Sequence, residues 1–350
     1  MKTSGRCGRA LRYNSHMVDL LVVGAGPVGL ACAIEAQRHG LTARVLDKGA
    51  LTNSILGYPA RMEFFSTPDL IEIGDHPFPI PGYKPTREDA LEYYRMVATR
   101  EALDLRLYET VLDLQGTRGA FTITTSRGTH QARHLVVATG FFDHPNRLTV
   151  PGADLPKVTH YYREAFPYAR QRVAVIGAKN SAAKAALDCH RHGATVTLIV
   201  RGPGLSDRIK YWLRPDLENR IKEGSITALF DTVVEDIRDT VLVVRGPEGL
   251  REIPNDWVLA MTGYQPDFSF LERLGITLAD DGCRTPVFDP STFETARAGV
   301  YIAGTVCGGL NTGRWFIENG RFHARQIVAH LTGQQTLPVV TAPGHWKTEE

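Results

Sequence analysis

Cysteine is scarce in this chain of 350 residues: Cys7, Cys32, Cys189, Cys283 and Cys307 are the only five, odd in number and widely scattered. That excludes a disulfide framework and points to a reducing, cytoplasmic compartment. No Cys-x-x-Cys pair occurs, so a redox dithiol of that form is excluded. A long apolar run is also missing. The longest uncharged stretch, Leu20 to Ile34, falls short of the roughly 20 residues that a membrane-spanning helix needs and is broken by Gly and Pro. Neither sign of charge dominates: 40 Lys and Arg stand against 38 Asp and Glu, a formal net charge of +2, and nothing calls for nucleic acid. Metal-ligand spacing is absent too. His190 and His192 are two apart and do not share a helix face, so they read as cations at a helix C-terminus stopped by Gly193. The N-terminal "MKTSGRCGRALRYNSH" has no apolar core of a secretory signal and reads as a disordered tail over residues 1–16, with Met17 as an alternative start.

What is present is a doubled pattern. The length suggests about two domains, and hydrophobic residues at 43% with charged residues at 22% are globular values. "VDLLVVGAGPVGLACAIEAQRHGLTARVLDKG", residues 18–49, reads as a buried strand, a glycine turn, a helix closed by Gly40 and a second strand ending at Asp47. "TREDALEYYRMVATREAL" is helical, and Leu105 to Thr139 reads as a small antiparallel layer with turns at Arg118-Gly119 and Arg127-Gly128. "FFDHPNRLTVPGADLPK" loses periodicity and marks a boundary. A second strand-loop-helix-strand unit follows in "VIGAKNSAAKAALDCHRHGATVTLIVRG", and the chain crosses back at "DWVLAMTGYQPDF" to a closing strand, Gly-rich loop and long helix. The expected fold class is α/β, with two Rossmann-like, three-layer ββα nucleotide-binding domains. Residues 17–150 and 262–335 form the first, 151–261 the second, and 336–350 a C-terminal tail.

Gly24, Gly26 and Gly29 form Gly-x-Gly-x-x-Gly between strand and helix, which lets backbone approach a pyrophosphate at the positive helix end. Asp47, placed to accept hydrogen bonds from a ribose diol, completes a site that also takes in Pro27, Lys48, Thr139, Gly140, Gly304, Thr305 and Phe316. In the later unit Gly177 opens the loop, Lys179 stands at the second glycine position and Ala183 at the third, with Asn180, Ser181 and Ala182 between. Arg201 occupies the place of the first unit's acid, where it would attract a 2′-phosphate, and Arg208 and Lys210 extend the same basic pocket. An acid for an unphosphorylated ribose and a base for a phosphorylated one fit FAD and NADPH. Hydride transfer between them is then the simplest chemistry.

With these residues in view, the chain resembles the two-domain flavoproteins related to low-molecular-weight thioredoxin reductase, and within them the bacillithiol-disulfide reductase family. The stretches that carry the likeness are "FFSTPDLIEIGD", "KPTREDALEYYR", "VIGAKNSAAKAAL", "LSDRIKYWLRPDLENRIKEGSI" and "FIENGRFH". The resemblance implies a thioredoxin-reductase-like fold and a homodimer or homotetramer. It also implies FAD held by the outer segments, NADPH by the central one, and a small-molecule disulfide as acceptor. It further implies a cysteine in the first loop, where this chain has Gly-Ala-Gly-Pro-Val-Gly with Val28 in its place. Cys307, in a Gly-rich loop before a helix, becomes the candidate redox thiol, because a helix N-terminus lowers a thiol's pKa. Without the loop cysteine, a ferredoxin or flavodoxin reductase on the same architecture is the alternative, with a small electron-carrier protein as partner and His345 and Trp346 of the tail stacking on the flavin. "ATGFFDHPN" is similar to flavin monooxygenases, but their Phe-x-Gly before His160 is missing. A flavin-binding module without turnover is the remaining reading.

Overall fold

In the computed structural model, residues 17–334 are described; Cys7, His345 and Trp346 lie outside them. The chain opens with β1 (Val18–Val23), β2 (Ala43–Leu46), β3 (Asp104–Arg106), β4 (Val111–Thr117), β5 (Ala120–Thr125) and β6 (Gly128–Val137). Strands β3, β2, β1 and β6 lie side by side in parallel. Leu20, Leu21 and Val22 are wholly buried, as expected where a parallel strand is covered on both faces. The ten residues of β6 serve two partners along one edge. Gly128–Ala132 pairs antiparallel with β5, and Leu135–Val137 pairs parallel with β15 (Val300–Ile302). The sequence pattern predicts only the antiparallel part, because the second partner lies more than 160 residues away.

The helix Arg87–Arg100 starts at a reciprocal cap, with Asp89 N donating to Thr86 Oγ1 at 3.1 Å and Thr86 N donating to Asp89 Oδ2 at 2.9 Å. Its buried Tyr93 and Tyr94 hold the segment after the Pro68–Ile71 turn, through Ile73 N to Tyr93 Oη at 2.8 Å and Tyr94 Oη to Ile71 O at 2.7 Å.

The central unit contains β7 (Val158–Thr159), β8 (Arg172–Ile176), β9 (Thr195–Ile199), β10 (Ile226–Leu229), β11 (Val233–Ile237), β12 (Val241–Gly246), β13 (Gly249–Pro254) and β14 (Trp257–Ala260). A parallel sheet in the order β10-β9-β8-β14-β7 has the Asn180–Arg191 helix packed against β8 and β9. The antiparallel β11-β12-β13 sheet adds Ile237, Leu242 and Val244 to a core shared with Ala174, Ile199 and Val258. Helix, parallel sheet and antiparallel sheet make three layers.

Two linkers connect the units and pair with each other. Asn146 N donates to Gly263 O and Gln265 N to His144 O, both at 2.9 Å, while Thr262 Oγ1 donates to Asn146 O at 2.6 Å. Phe142 sits against Tyr58, Tyr161 and Tyr264 with ring centroids 4.9, 5.3 and 4.7 Å away.

One expectation fails in the closing segment. The long helix is two pieces, Ile317–Gly320 and His323–Leu331. A Cβ on Gly320 would lie 3.2 Å from Gly304 Cα and 3.3 Å from Val28. The first piece thus ends where the chain packs closely on Gly304 and Val28, and the break falls at Arg321 and Phe322. Among the described residues, no helix is long and apolar enough to cross a membrane, and no group of three or more His, Cys, Asp or Glu could hold a metal ion.

Candidate functional site

The three glycines of the first loop have separate tasks. Gly24 has φ +114° and backs onto the Ala138 carbonyl, leaving no room for a Cβ. A Cβ on Gly29 would fall on the Gly24 carbonyl oxygen, so the helix sits directly on the turn. Among the described residues, no atom beyond the local backbone lies within 4 Å of where a Gly26 Cβ would be. An open cradle at that position is what close approach of a pyrophosphate requires. Gly26 is the N-cap of the Pro27–Arg38 helix, with Pro27 in its first turn.

Asp47 follows β2 and braces this loop. Its Oδ2 accepts from Ala25 N at 2.7 Å and its Oδ1 from Gly49 N at 2.8 Å. Burial raises its pKa, opposed by those two hydrogen bonds. Each oxygen keeps a second lone pair for a hydroxyl donor. Lys48 turns outward to Asp143 at 3.1 Å. Thr139 and Gly140, just past β6, lie beside Thr305: a Cβ on Gly140, at φ +67°, would sit 3.4 Å from Thr305 Oγ1. Gly304, at φ +80°, rests on Val28, which a Cβ there would meet at 3.2 Å. Val28 is therefore the buried packing point of two backbone segments, Gly304 and Gly320. Phe316 is exposed and caps the short Ile317–Gly320 helix.

His323, which the sequence reading missed, holds Gly304 from below. Gly304 N donates to His323 Nδ1 at 3.1 Å, and the ring stacks on Phe293 at 3.9 Å with Trp315 edge-on at 4.4 Å. Burial lowers its pKa from 6.5 to about 3. The ring is thus neutral, with Nδ1 the acceptor and, by assignment from that hydrogen bond, the proton on Nε2. The unfolded chain takes up this proton near pH 6.5 and the folded protein does not, so this contribution to stability is intact above pH 6.5 and declines as the pH falls toward 3. Denaturant unfolding of His323→Asn, which keeps an acceptor but does not titrate, should lose about 3 kcal/mol less between pH 7.5 and 4.5 than the parent. Equal losses would show that His323 does not stay neutral.

The structure corrects the reading of Cys307. It lies inside the 3-10 turn Gly304–Gly308, wholly buried, with Sγ 4.0 Å from His323 Nδ1. Burial, aided by nearby Cys32, pushes the thiol well above its ordinary pKa, the reverse of the lowering expected from a helix terminus. Burial likewise raises Cys32 and Cys189 to about 12. Cys283 is half-buried in a loop.

In the second loop Gly177 has φ +144° and abuts the Met261 carbonyl, which a Cβ would meet at 2.5 Å. The third position is taken by Ala182 rather than Ala183. Ala182 follows Gly177 by the five residues that separate Gly29 from Gly24, and its methyl lies 3.1 Å from where a Gly177 Cβ would be. Lys179, the N-cap, and Ser181 are exposed at the helix start. Arg201, two residues past β9, and Arg208 are exposed, and neither pairs with a carboxylate among the described residues. Lys210 Nζ lies 5.2 Å from the centroid of Phe65 in the first unit.

Two glycine loops, each at the end of a parallel sheet in its own layered unit, give the chain the architecture of a two-unit, Rossmann-like α/β protein. The chain belongs to the pyridine nucleotide-disulphide oxidoreductase family, whose model matches residues 21–304. It is 42% identical to the bacilliredoxin reductase Bdr of Bacillus subtilis (strain 168), across 90% of this chain and 98% of that one. The solved bacillithiol disulfide reductase Bdr (YpdA) from Bacillus cereus superposes with a TM-score of 0.88 at 38% identity, covering 91% of this chain and all of the other. The T. acidophilum thioredoxin reductase, at 22% identity and a TM-score of 0.71 over 90% of this chain and 98% of that one, shares the fold alone. The fold is thioredoxin-reductase-like, and the family's cofactors are a flavin and a pyridine nucleotide.

Proposed function

We propose that this protein is an NADPH-dependent, FAD-containing reductase of a low-molecular-weight disulfide of the bacillithiol type, acting in the cytoplasm as a homo-oligomer. The observation that carries the reading is the open cradle at Gly26, braced by Asp47, in a chain that also presents Arg201, with no carboxylate partner among the described residues, beside a second loop. The Gly24–Gly29 loop, Asp47, Thr139, Gly140, Gly304 and Thr305 would hold the FAD; Gly177, Lys179, Ser181, Arg201 and Arg208 would hold the NADPH. The chemistry that the bound pair would supply is hydride transfer, and overall NADPH and one proton convert one disulfide into two thiols. The chain's part is to orient: the Pro27–Arg38 helix turns its positive end to phosphate, and His323 fixes the Gly304 turn without taking a proton.

Val28 in the first loop, with Cys307 sealed under Gly304, favours a route in which no protein thiol joins the acceptor. A Cys307→Ala variant should therefore keep full turnover, and loss of disulfide reduction with flavin content unchanged would reinstate the thiol. The same two observations favour the second reading, an NADPH-dependent reductase of a ferredoxin or flavodoxin. The test is anaerobic bleaching of the yellow protein by NADPH, then reoxidation by bacillithiol disulfide, ferredoxin, flavodoxin or oxygen. Rapid reoxidation by the disulfide alone upholds the proposal, and reoxidation by a carrier protein alone replaces it.

A further inference from the structure

Outside the linker ribbon, the two units touch through Ala60 N, which donates to Arg163 O at 2.8 Å, and through a larger side-chain contact. Residues 202–213 cover the start of the Asn180–Arg191 helix, and Asn180 anchors them with both ends of its amide. Its Nδ2 donates to Arg208 O at 3.0 Å, and its Oδ1 accepts from Lys210 N at 2.9 Å. Ser206 N adds a bond to Ala178 O at 3.1 Å. From this segment two side chains reach the first unit. The Trp212 ring meets Phe65 edge to face, with centroids 5.6 Å apart. Lys84 Nζ lies 4.6 Å from the Trp212 ring centroid, and Lys210 Nζ lies 5.2 Å from that of Phe65. The exchange is reciprocal: each unit lends a lysine to the other unit's aromatic ring.

The contacts continue into the first loop. Ser66, next to Phe65, donates to Glu318 Oε2 at 2.9 Å. Glu318 belongs to the short helix whose Gly320 rests on Gly304 and Val28. Burial lowers the pKa of Lys210, and Glu318 opposes that shift, in keeping with a cation drawn toward this helix. A chain of contacts therefore runs from Gly177 and Asn180 through Trp212 and Phe65 to Gly304 and Val28.

We propose that Trp212 and Lys84 form a latch that sets the approach of the two nucleotide-binding units, which makes them positioning residues for electron transfer between the sites. The proposal rests on the reading that these loops hold FAD and NADPH. Ring and cation contacts of this kind are individually modest, so the latch holds one arrangement without locking it. Transfer needs reacting atoms within roughly 3.5 Å, and loosening the approach thins the population that meets this condition.

Trp212→Ala, Lys84→Ala and Trp212→Phe test it with two readouts. In small-angle X-ray scattering of the full chain, the two alanine variants should show a larger radius of gyration than the parent, and Trp212→Phe should match the parent. In anaerobic stopped flow at saturating NADPH, the alanine variants should bleach about tenfold more slowly or worse, with NADPH affinity and flavin content unchanged and Trp212→Phe largely rescued. Parental scattering together with a parental bleaching rate would overturn the latch. So would an NADPH affinity that falls in step with the rate, since that assigns Trp212 to the nucleotide pocket. If the parent itself is not bleached by NADPH, the cofactor reading fails, and scattering alone decides whether the latch exists.

Discussion

A Gly29→Ala variant should purify colourless and unfold at lower denaturant than the flavin-stripped parent, whereas Gly26→Ala should also be colourless but unfold like the flavin-stripped parent, bound flavin adding its own stability to the yellow form. The contrast follows from what each added methyl meets. At Gly29 it falls on the carbonyl oxygen of Gly24, a backbone atom with no flexible side chain to swing aside. Relief requires the helix to lift off the turn, and overpacking of this kind costs about 1 to 3 kcal/mol. Lifting the helix also withdraws its positive end from the place where a pyrophosphate would sit. At Gly26 the methyl enters space where, among the described residues, no atom beyond the local backbone lies within 4 Å, so the fold is indifferent to it. If that space belongs to the flavin's phosphates, the methyl excludes them. Absorbance at 450 nm per mole of protein, read beside the denaturation midpoint, separates the two effects. Full flavin content in Gly26→Ala would show that the cradle faces solvent and not a ligand.

Both βαβ units were legible because each is local. A buried strand, a small-residue turn, a helix stopped by Gly40 or Gly193 and a second strand lie within some thirty residues, and their spacing fixes the geometry of the turn. The features that escaped notice are made by distant chain. Nothing around "FIENGRFH" marks His323 as an acceptor, since its partner Gly304 N is 19 residues upstream and comes within reach only when the helix breaks after Gly320. Cys307 read as poised because glycines before a helix suggest an exposed terminus. The turn instead folds inward against Val28, and burial overrides local position. Lys210 lies nine residues beyond Arg201 in a basic stretch, so sequence groups the two. The Asn180 amide pins the backbone at Lys210 so that its side chain points to Phe65 in the other unit. Side-chain direction there depends on how the units meet, and neither unit's own pattern encodes it.

The second large expected effect is on the choice between nicotinamides. Arg201→Ala should weaken NADPH about 10- to 100-fold and leave NADH nearly unchanged, because a charge-assisted hydrogen bond to a phosphate contributes about 1.5 to 3 kcal/mol and 1.4 kcal/mol is one decade. Arg208→Ala should give a smaller loss in the same direction, since it is exposed in the segment that Asn180 pins across the loop. Lys210→Ala should leave the NADPH-to-NADH ratio where it is, because its ammonium is engaged with the first unit. The guanidinium of Arg201 is exposed, so its discrimination should also shrink with ionic strength as screening shortens to about 8 Å at physiological salt. Dissociation constants for the two nucleotides, measured by quenching of protein fluorescence at low and high salt, test all of these expectations. An unchanged ratio in Arg201→Ala would mean that the position after β9 does not read the 2′-phosphate, and an equal loss for both nucleotides would place Arg201 on the pyrophosphate.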